Sequence, residues 1–455
     1  MKMMLMDSFN ETDIKQVFGS GMTFSPFPKI QEREKWKQLP KELTDFWISE
    51  AERWKGYSWP ISSAVRFMDF KRNGNRTDYE QSHFNRRSAL SSLVIAECME
   101  DQGRFMEDII NLIWAICEES FWGSPAHNGH LNPSLHLPDV REPYIDLFAA
   151  ETGAHLAWYV YLLADRLNAY TPEIIHRIHI ELKRRILDVY LTRDDFHWMG
   201  FKDPNKKVNN WNVWCNSNCL AVFLLSEPDV TRRVQGILKV IRSMNRFIES
   251  YGEDGGCDEG PSYWGRAAGS LFDALEMIFH TSGGRLSIYN DPKIQEMGRF
   301  RYKMVISDHY AVNFADSGSR VDVLVDTAYG FGQRIGDRRL MALASEALRA
   351  QGPSATVTPF SSPFRVLYAL FLYKEILHSR YTDTPYSKEV WLKDIQVMIV
   401  REHEDSTDGL FIAAKGGHND ESHNHNDVGH FIVYADGEPL LNRPGCRHLF
   451  GSYLQ

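Results

Sequence analysis

The chain contains no long apolar run, few cysteines and no excess of positive charge. Because no stretch of eighteen apolar residues occurs, we expect no membrane span. The net charge of -9 excludes a general nucleic-acid binder, which needs a basic face to displace counterions. The N-terminus MKMMLMDSFNETD shows no secretory signal, so we expect a cytoplasmic protein, or a periplasmic or secreted one if a leader is missing from the sequence.

The cysteines do not form the paired CxxC sets that are typical of zinc sites. Cys215 and Cys219 lie one helical turn apart, a spacing more typical of two small buried residues than of a redox pair. The full set is Cys98, Cys117, Cys215, Cys219, Cys257 and Cys446.

Aromatic residues are abundant, with 12 Trp and 19 Tyr in 455 residues. Aromatic faces can bind sugar rings, although core packing is their commoner use. The length of the chain exceeds that of one ordinary core and predicts two units or one large toroid.

Apolar residues recur every three to four positions up to about residue 380, which favours helices. Many helices in series, without intervening strands, indicate stacked antiparallel pairs. The clearest predicted helices cover 105–116, 147–158, 172–189, 230–250, 267–279, 338–350 and 363–377.

The period changes after about residue 385. Short segments rich in β-branched and aromatic residues predict strands over 394–401, 409–415 and 428–435, and Asp436-Gly437 predicts a hairpin turn. We therefore expect a helical domain over 1–384 and a β domain over 385–455. The second is expected to be incomplete, since about seventy residues seldom complete a β-sandwich.

Five asparagines fall within the ten residues 209–218, and Lys202, Lys206 and Lys207 precede them. Amides are unfavourable in a helix interior and costly to bury without partners. Carboxamide donors can bind a carboxylate, while the lysines attract anions. The alternative is a capped helix start with a solvated loop.

A glycine-rich segment, Asp254-Gly-Gly-Cys-Asp-Glu-Gly-Pro-Ser-Tyr263-Trp264, follows. Its glycines and proline predict that Tyr263 lies in the first turn of the next helix. The helix macrodipole would there lower the pKa of the tyrosine from about 10 and prepare it as a general base. The alternative is a buried tyrosine that stacks on Trp264.

The segment 422–427 is the densest cluster of ligand-type side chains. In an extended chain, His423 and His425 point to the same face, which suits metal ligation or anion binding. A polar turn before a strand is the alternative.

Three motifs together resemble the heparinase II/III-like polysaccharide lyases. They are Asn209-Asn210-Trp211, then Asp254-Gly-Gly-x-x-Glu259-Gly-x-x-Tyr263-Trp264, then Lys415-Gly-Gly-His-Asn-x-x-Ser-His423-Asn-His425-Asn-Asp-x-Gly429. The resemblance implies an incomplete (α/α) toroid followed by the first strands of an antiparallel β-sandwich. It also implies β-elimination of a polysaccharide or oligosaccharide that contains uronic acid.

The resemblance assigns roles to individual residues. Asn210 and His423 would neutralise the uronate carboxylate, and Tyr263 would remove the proton on the adjacent carbon. Where both protons lie on one side of the sugar, Tyr263 is also a candidate for the acid. We expect further substrate contacts from Asn209, Trp211, Asn212, Lys207, Glu259 and Trp264. Many relatives carry a histidine beside the matched asparagine, where this chain has Trp211, so the acid for one reaction stereochemistry is unassigned.

The family's zinc would be held by His425, but the family's next ligand, an aspartate, is replaced by Arg443. Codons for the last fourteen or so residues can be chosen so that the frame one nucleotide later encodes the Asp-Pro-Gly of the family. We therefore hypothesise a frameshifted tail, a weakly held zinc ion and exposed sheet edges that favour a homo-oligomer.

Two rival functions are open at this point. Asp254, Asp258 or Glu259 could be the paired carboxylates of a glycoside hydrolase on a similar toroid. The chain could also be an inactive sugar-binding remnant. The sequence does not indicate which polysaccharide is cut, or whether sulfate is recognised.

Overall fold

Helices fill the first five sixths of the chain, and a single sheet follows them. The computed structural model describes residues 5, 8–130, 132–203, 205–357, 362–418, 425 and 428–442. The α-helices are α1 Glu11–Phe18, α2 Arg33–Trp36, α3 Lys41–Glu52, α4 Ala64–Asn73, α5 Thr77–Glu100, α6 Met106–Glu118, α7 Leu147–Tyr170, α8 Glu173–Leu182, α9 Asp188–Thr192, α10 Asn210–Ser226, α11 Val230–Ser250, α12 Ala268–Thr281, α13 Pro292–Lys303, α14 Val325–Ile335, α15 Arg338–Gln351 and α16 Pro363–Leu377.

Inner and outer helices alternate along the chain. The inner helices α5, α7, α10, α12, α14 and α16 pack against one another in sequence order, and α16 also contacts α7. Helix α7 is apolar around most of its circumference and is buried on all sides over its first three turns, as an inner helix must be. Helix α11 is amphipathic and buries only the face that meets its neighbours. This arrangement is the predicted incomplete (α/α) toroid.

The strands form one antiparallel sheet in the order β1-β2-β3-β4-β5. Side chains on one face, such as Ile399, Ala413 and Ile432, are buried, and those on the other face, such as Trp391 and Phe431, are exposed. The predicted fold class, mainly helical with a C-terminal antiparallel β portion, is confirmed. The strands are β1 Glu389–Leu392, β2 Val397–Arg401, β3 Leu410–Lys415, β4 His430–Ala435 and β5 Glu438–Leu441.

The asparagines of α10 differ from expectation, because Asn212, Asn216 and Asn218 are buried in the helix interior. Each has a partner that offsets the cost of burial. Asn212 donates to the carbonyl oxygens of Trp198 and Ser243, and Asn216 donates to the Ser243 hydroxyl. Asn218 donates to the Trp214 carbonyl one turn earlier. The amides of Asn212 and Asn216 hold α10 to the elements around it.

The sheet is joined to the helical part by contacts on both sides of β2, among others. Beside the glycine-rich segment, the Asp394 amide donates to Oδ2 of Asp254 at 2.6 Å, and the Glu253 amide donates to Oδ2 of Asp394 at 2.6 Å. At the other end of β2, Arg401 is buried and donates to the carbonyl oxygens of Val305 and Ile306. Hydrogen bonds before and after β2 thus help to fix the position of the sheet.

The two closely spaced cysteines lie in the core, and the described helices are not of the membrane-spanning kind. Cys215 and Cys219 are both fully buried, which confirms that they are packing residues and not an exposed redox pair. None of the helices within the described ranges combines the length and apolar character that crossing a membrane requires.

We predict that Arg401→Ala lowers the free energy of unfolding by about 2–4 kcal/mol, because several buried carbonyl oxygens lose their donor. Burial already lowers the pKa of Arg401 to about 10. Urea unfolding followed by circular dichroism measures the change. Lys393→Ala, on the exposed β1–β2 turn, is the matched control, and an equal effect of both substitutions would contradict the assignment.

Candidate functional site

The start of α10 and the glycine-rich segment are joined by one buried hydrogen bond. Asn210 is the first residue of the helix, and its Nδ2 donates to Oε1 of Glu259 at 2.8 Å. Both side chains are almost fully buried. Asn209 precedes them as the N-cap, and its side chain accepts from the Trp211 amide. The predicted carboxylate-binding asparagine is therefore held in one orientation.

Gly260 allows the chain to approach a second segment closely. Its φ is 87°, and a Cβ at this position would lie 2.7 Å from the carbonyl oxygen of Phe314. Just beyond it, the Ser262 and Ser317 hydroxyls lie 2.9 Å apart, and the Ser262 amide donates to the Ser317 hydroxyl. This contact brings Tyr263 beside residues 314–318.

Tyr263 lies in a short 3-10 turn, Pro261–Tyr263, five residues before α12 begins. The expectation that a helix macrodipole lowers its pKa is therefore wrong, because no α-helix begins at this residue. Burial instead raises the pKa of Tyr263 to about 12, and the negative charges of Asp316 and Glu259 add to that effect. The positive charges of Arg266 and Arg76 act in the opposite direction.

His425 contacts the same acid, and its Nε2 forms a very short contact with Oδ1 of Asp316. A structural zinc ion needs four ligands. Within the described part of the chain, no group of three His, Cys, Asp or Glu side chains is placed to hold a metal ion. The described residues thus do not fit a zinc site, and the role of His425 as a ligand stays a prediction. His423 and Arg443 lie outside the described residues.

A cleft of about 690 Å³ lies between the helical part and the sheet. Asn209, Asn210, Lys207 and Glu259 are among the residues that line it, and the sheet contributes Asp394, Ile395 and His418. Lys207 is exposed and Asn209 is half-buried, so both can meet a ligand. Tyr263 is half-buried and does not belong to this lining.

Two predicted substrate contacts are contradicted by burial. Asn212 is fully buried, and its amide is used by Trp198 and Ser243. Trp264 is also buried, and its indole donates to the Met297 carbonyl at 2.8 Å. Neither side chain can touch a substrate, because both are covered by the rest of the protein. The prediction failed because spacing on the sequence does not reveal which face of a helix or turn is covered.

Two of the three carboxylates considered for hydrolysis, Asp254 and Glu259, have structural partners. Asp254 accepts from the backbone of Gly256 and of Asp394. Glu259 holds Asn210 from below the surface of the cleft. Both carboxylates thus fix the chain that forms the cleft.

A group of histidines around Trp211 was missed by the sequence reasoning. The Trp211 ring meets His127, His130 and His197 at centroid distances of 4.5, 5.3 and 5.1 Å. Trp211 is half-buried, so its predicted contact with substrate is compatible with its position. His127 and His130 belong to a 3-10 turn, Pro125–His130, and the signal that could have found them is the spacing His-x-x-His in a polar loop.

Comparison with known proteins shows the fold. No protein-family model and no curated protein matches the sequence. Among solved structures, the heparinase III-BT4657 gene product has a TM-score of 0.57 at 13% identity. The match covers 96% of this chain and 62% of the heparinase III chain. A mutant of the heparan sulfate lyase HepC from Pedobacter heparinus has a TM-score of 0.53 at 12% identity. This match covers 89% of this chain and 56% of the HepC chain.

The chain therefore shares the fold of polysaccharide lyases, and it spans about three fifths of the length of these two structures. The resemblance found in the sequence motifs is confirmed at the level of fold. Identities this low carry no information on substrate or mechanism.

We predict that the phenol of Tyr263 stays protonated through pH 10.5, where an exposed tyrosine with a pKa of about 10 is mostly ionised. A difference spectrum of ¹³C-tyrosine between wild type and Tyr263→Phe isolates its signal. Asp316→Asn should lower the pKa of Tyr263, because it removes a nearby negative charge. Asp322→Asn, at an exposed position, should leave it unchanged, and a pKa of Tyr263 below 10 would contradict the geometry.

Proposed function

We propose that this chain is a polysaccharide lyase that cleaves a uronic-acid-containing polysaccharide or oligosaccharide by β-elimination. The observation that carries the proposal is the hydrogen bond that fixes Asn210 against Glu259. Glu259 lies four residues before Tyr263, and the chain shares its fold with heparinase III. An oriented amide and a phenol are the groups that this reaction needs, and here two segments joined by one buried hydrogen bond supply them.

Neutralisation of the carboxylate is assigned to the start of α10. Asn210 uses one amide hydrogen for Glu259 and has a second for a substrate oxygen. The N-terminus of this 17-residue helix adds a positive potential that favours an anion. His423 would contribute a further donor, as the motif predicts. Stabilising the carboxylate makes the adjacent proton more acidic, because the developing enolate spreads charge onto these oxygens.

Proton removal is assigned to Tyr263. Its raised pKa means that the resting side chain is a phenol, so the phenolate must form when substrate is bound. Arg266 is placed to favour the phenolate. Its guanidinium packs 3.9 Å above the Trp214 ring, and it donates to Oε1 of Glu151 at 3.0 Å. A fixed positive charge costs no reorganisation during the reaction.

An acidic substrate is supported by the exposed Lys206 and Lys207 in the lining of the cleft. Lys206 also lines a neighbouring hollow of about 300 Å³ with Lys202 and His197. This local group of positive charges can hold an anionic sugar chain although the whole protein is acidic.

We predict that heparan sulfate, hyaluronan, alginate or pectate yields an unsaturated uronate that absorbs in the near ultraviolet. Tyr263→Phe should lower the rate by about a hundredfold or more, because the general base is lost. Tyr170→Phe, at the exposed end of α7, is the control and should retain the rate. Products without this absorbance would show hydrolysis, and no product from any substrate would contradict the proposal.

We predict that Glu259→Gln retains most of the activity, since its carbonyl oxygen still accepts from Asn210. Glu259→Leu should lose activity, because the amide of Asn210 is no longer oriented. In a glycoside hydrolase that used Glu259 as acid or nucleophile, both substitutions would abolish turnover. Steady-state kinetics on the cleaved substrate distinguishes the two functions.

A further inference from the structure

His127 is held by a buried carboxylate. Its Nδ1 lies 2.6 Å from Oδ2 of Asp146, which is fully buried at the N-cap of α7. The same carboxylate accepts from the amides of Ser124 and Ala149. A carboxylate that accepts three hydrogen bonds is an acceptor only, so Nδ1 of His127 carries a proton and donates. Asp146 therefore fixes both the orientation and the proton position of the ring.

The other nitrogen of this ring is accessible. Among the described residues Nε2 of His127 has no hydrogen-bond partner, yet it is not one of the buried unpaired polar atoms. The small exposed part of the side chain thus includes Nε2. Phe148 stacks on the ring at 5.6 Å, and Trp211 meets it at 4.5 Å. The ring is clamped while one nitrogen faces outward.

The start of α10 connects His127 to the Tyr263 side of the site. Trp211 contacts His127, and its neighbour Asn210 binds Glu259, four residues before Tyr263. A second connection runs through side chains. Ser124, whose amide binds Asp146, donates its hydroxyl to Glu80, and Glu80 accepts from Arg76 at 2.9 Å.

Arg76 completes this second connection, because its positive charge favours the phenolate of Tyr263. His127 and Tyr263 are therefore related through two sets of residues, Trp211 with Asn210 and Glu259, and Ser124 with Glu80 and Arg76. They belong to different elements, His127 to the Pro125–His130 turn and Tyr263 to the Pro261–Tyr263 turn.

We propose that His127, oriented by Asp146, is the catalytic acid that protonates the leaving glycosidic oxygen. This inference rests on the proposed lyase function. It supplies the group that Trp211 cannot supply, since an indole has no proton to give at neutral pH. Asp146 is a positioning residue, which stabilises the charged imidazolium and does not touch the substrate.

The reaction forms one carbon–carbon double bond and breaks one carbon–oxygen bond. The Tyr263 phenolate takes the proton from the carbon beside the carboxylate, and the released electron pair forms a carbon–carbon double bond. The bond from the neighbouring carbon to the glycosidic oxygen breaks, and its electron pair stays on that oxygen. Nε2 of the His127 imidazolium donates a proton to the oxygen. Tyr263, which gave its own proton to solvent when substrate bound, is left as the resting phenol, and His127 regains a proton from solvent.

The test compares two leaving groups on the uronate that wild type cleaves. One substrate is the polysaccharide, and the other is a synthetic uronide with a 4-nitrophenoxy group in place of the leaving sugar. Nitrophenolate leaves without protonation. His127→Gln should lower kcat/KM on the polysaccharide by about a hundredfold and leave the synthetic substrate nearly unaffected. Asp146→Asn, which keeps a capping side chain, should show the same pattern with a smaller loss.

Two variants make the result specific. Tyr263→Phe should lose activity on both substrates, because the base is needed for each. His130→Gln changes a histidine three residues away that has no carboxylate partner among the described residues, and it should show no selective loss. Turnover of the synthetic substrate by His127→Gln also proves that this variant is folded.

The outcomes separate the two proposals. Equal loss on both substrates, or no loss on either, would overturn the role of His127 while the lyase function stands. A wild type that eliminates neither substrate would overturn both. Exchange of the substrate proton in D₂O adds a further check, since His127→Gln should retain it and Tyr263→Phe should lose it.

Discussion

The hydrogen bond between Asn210 and Glu259 is the contact on which the geometry of the site depends. It joins two segments that lie 49 residues apart, the start of α10 and the glycine-rich segment. Both groups are removed from water, so breaking the bond would leave a buried polar group without compensation, at a cost of about 1–3 kcal/mol. The helix therefore cannot shift relative to Tyr263 without a large penalty. Orientation of the amide and placement of the phenol follow from the same constraint.

Periodicity was sufficient to predict most elements. The helices α6, α7, α11, α12, α15 and α16 and the strands β2, β3 and β4 lie where apolar spacing placed them. The last helix ends at Leu377 and the first strand begins at Glu389, on either side of residue 385. Helix α10 was harder, because its asparagines contradict helix propensity. Their burial depends on Ser243, Trp198 and the backbone around them, and such long-range partners cannot be read from local sequence.

The sequence predicted which residues belong to the candidate site better than it predicted their chemistry. Motif spacing identified Asn210, Glu259 and Tyr263, which the structure brings into one region. It could not distinguish Asn210, which faces the cleft, from Asn212, which faces the interior. The pKa of Tyr263 was predicted in the wrong direction, since burial, the largest cause of the rise, and the charge of Asp316 both depend on the fold, and the local turn is 3-10. His127 was not predicted, because its partner Asp146 contacts it only in the folded chain.

The two sides of the cleft come from different parts of the chain, and this division affects how the protein can evolve. Asn209, Asn210 and Glu259 are carried by the start of α10 and by the glycine-rich segment, whereas Asp394, Ile395 and His418 come from connections between strands. Such connections tolerate insertion and substitution far better than a packed core does. Under the proposed function, natural variation in these connections would change which sugar chains bind while Asn210 and Glu259 stay in place.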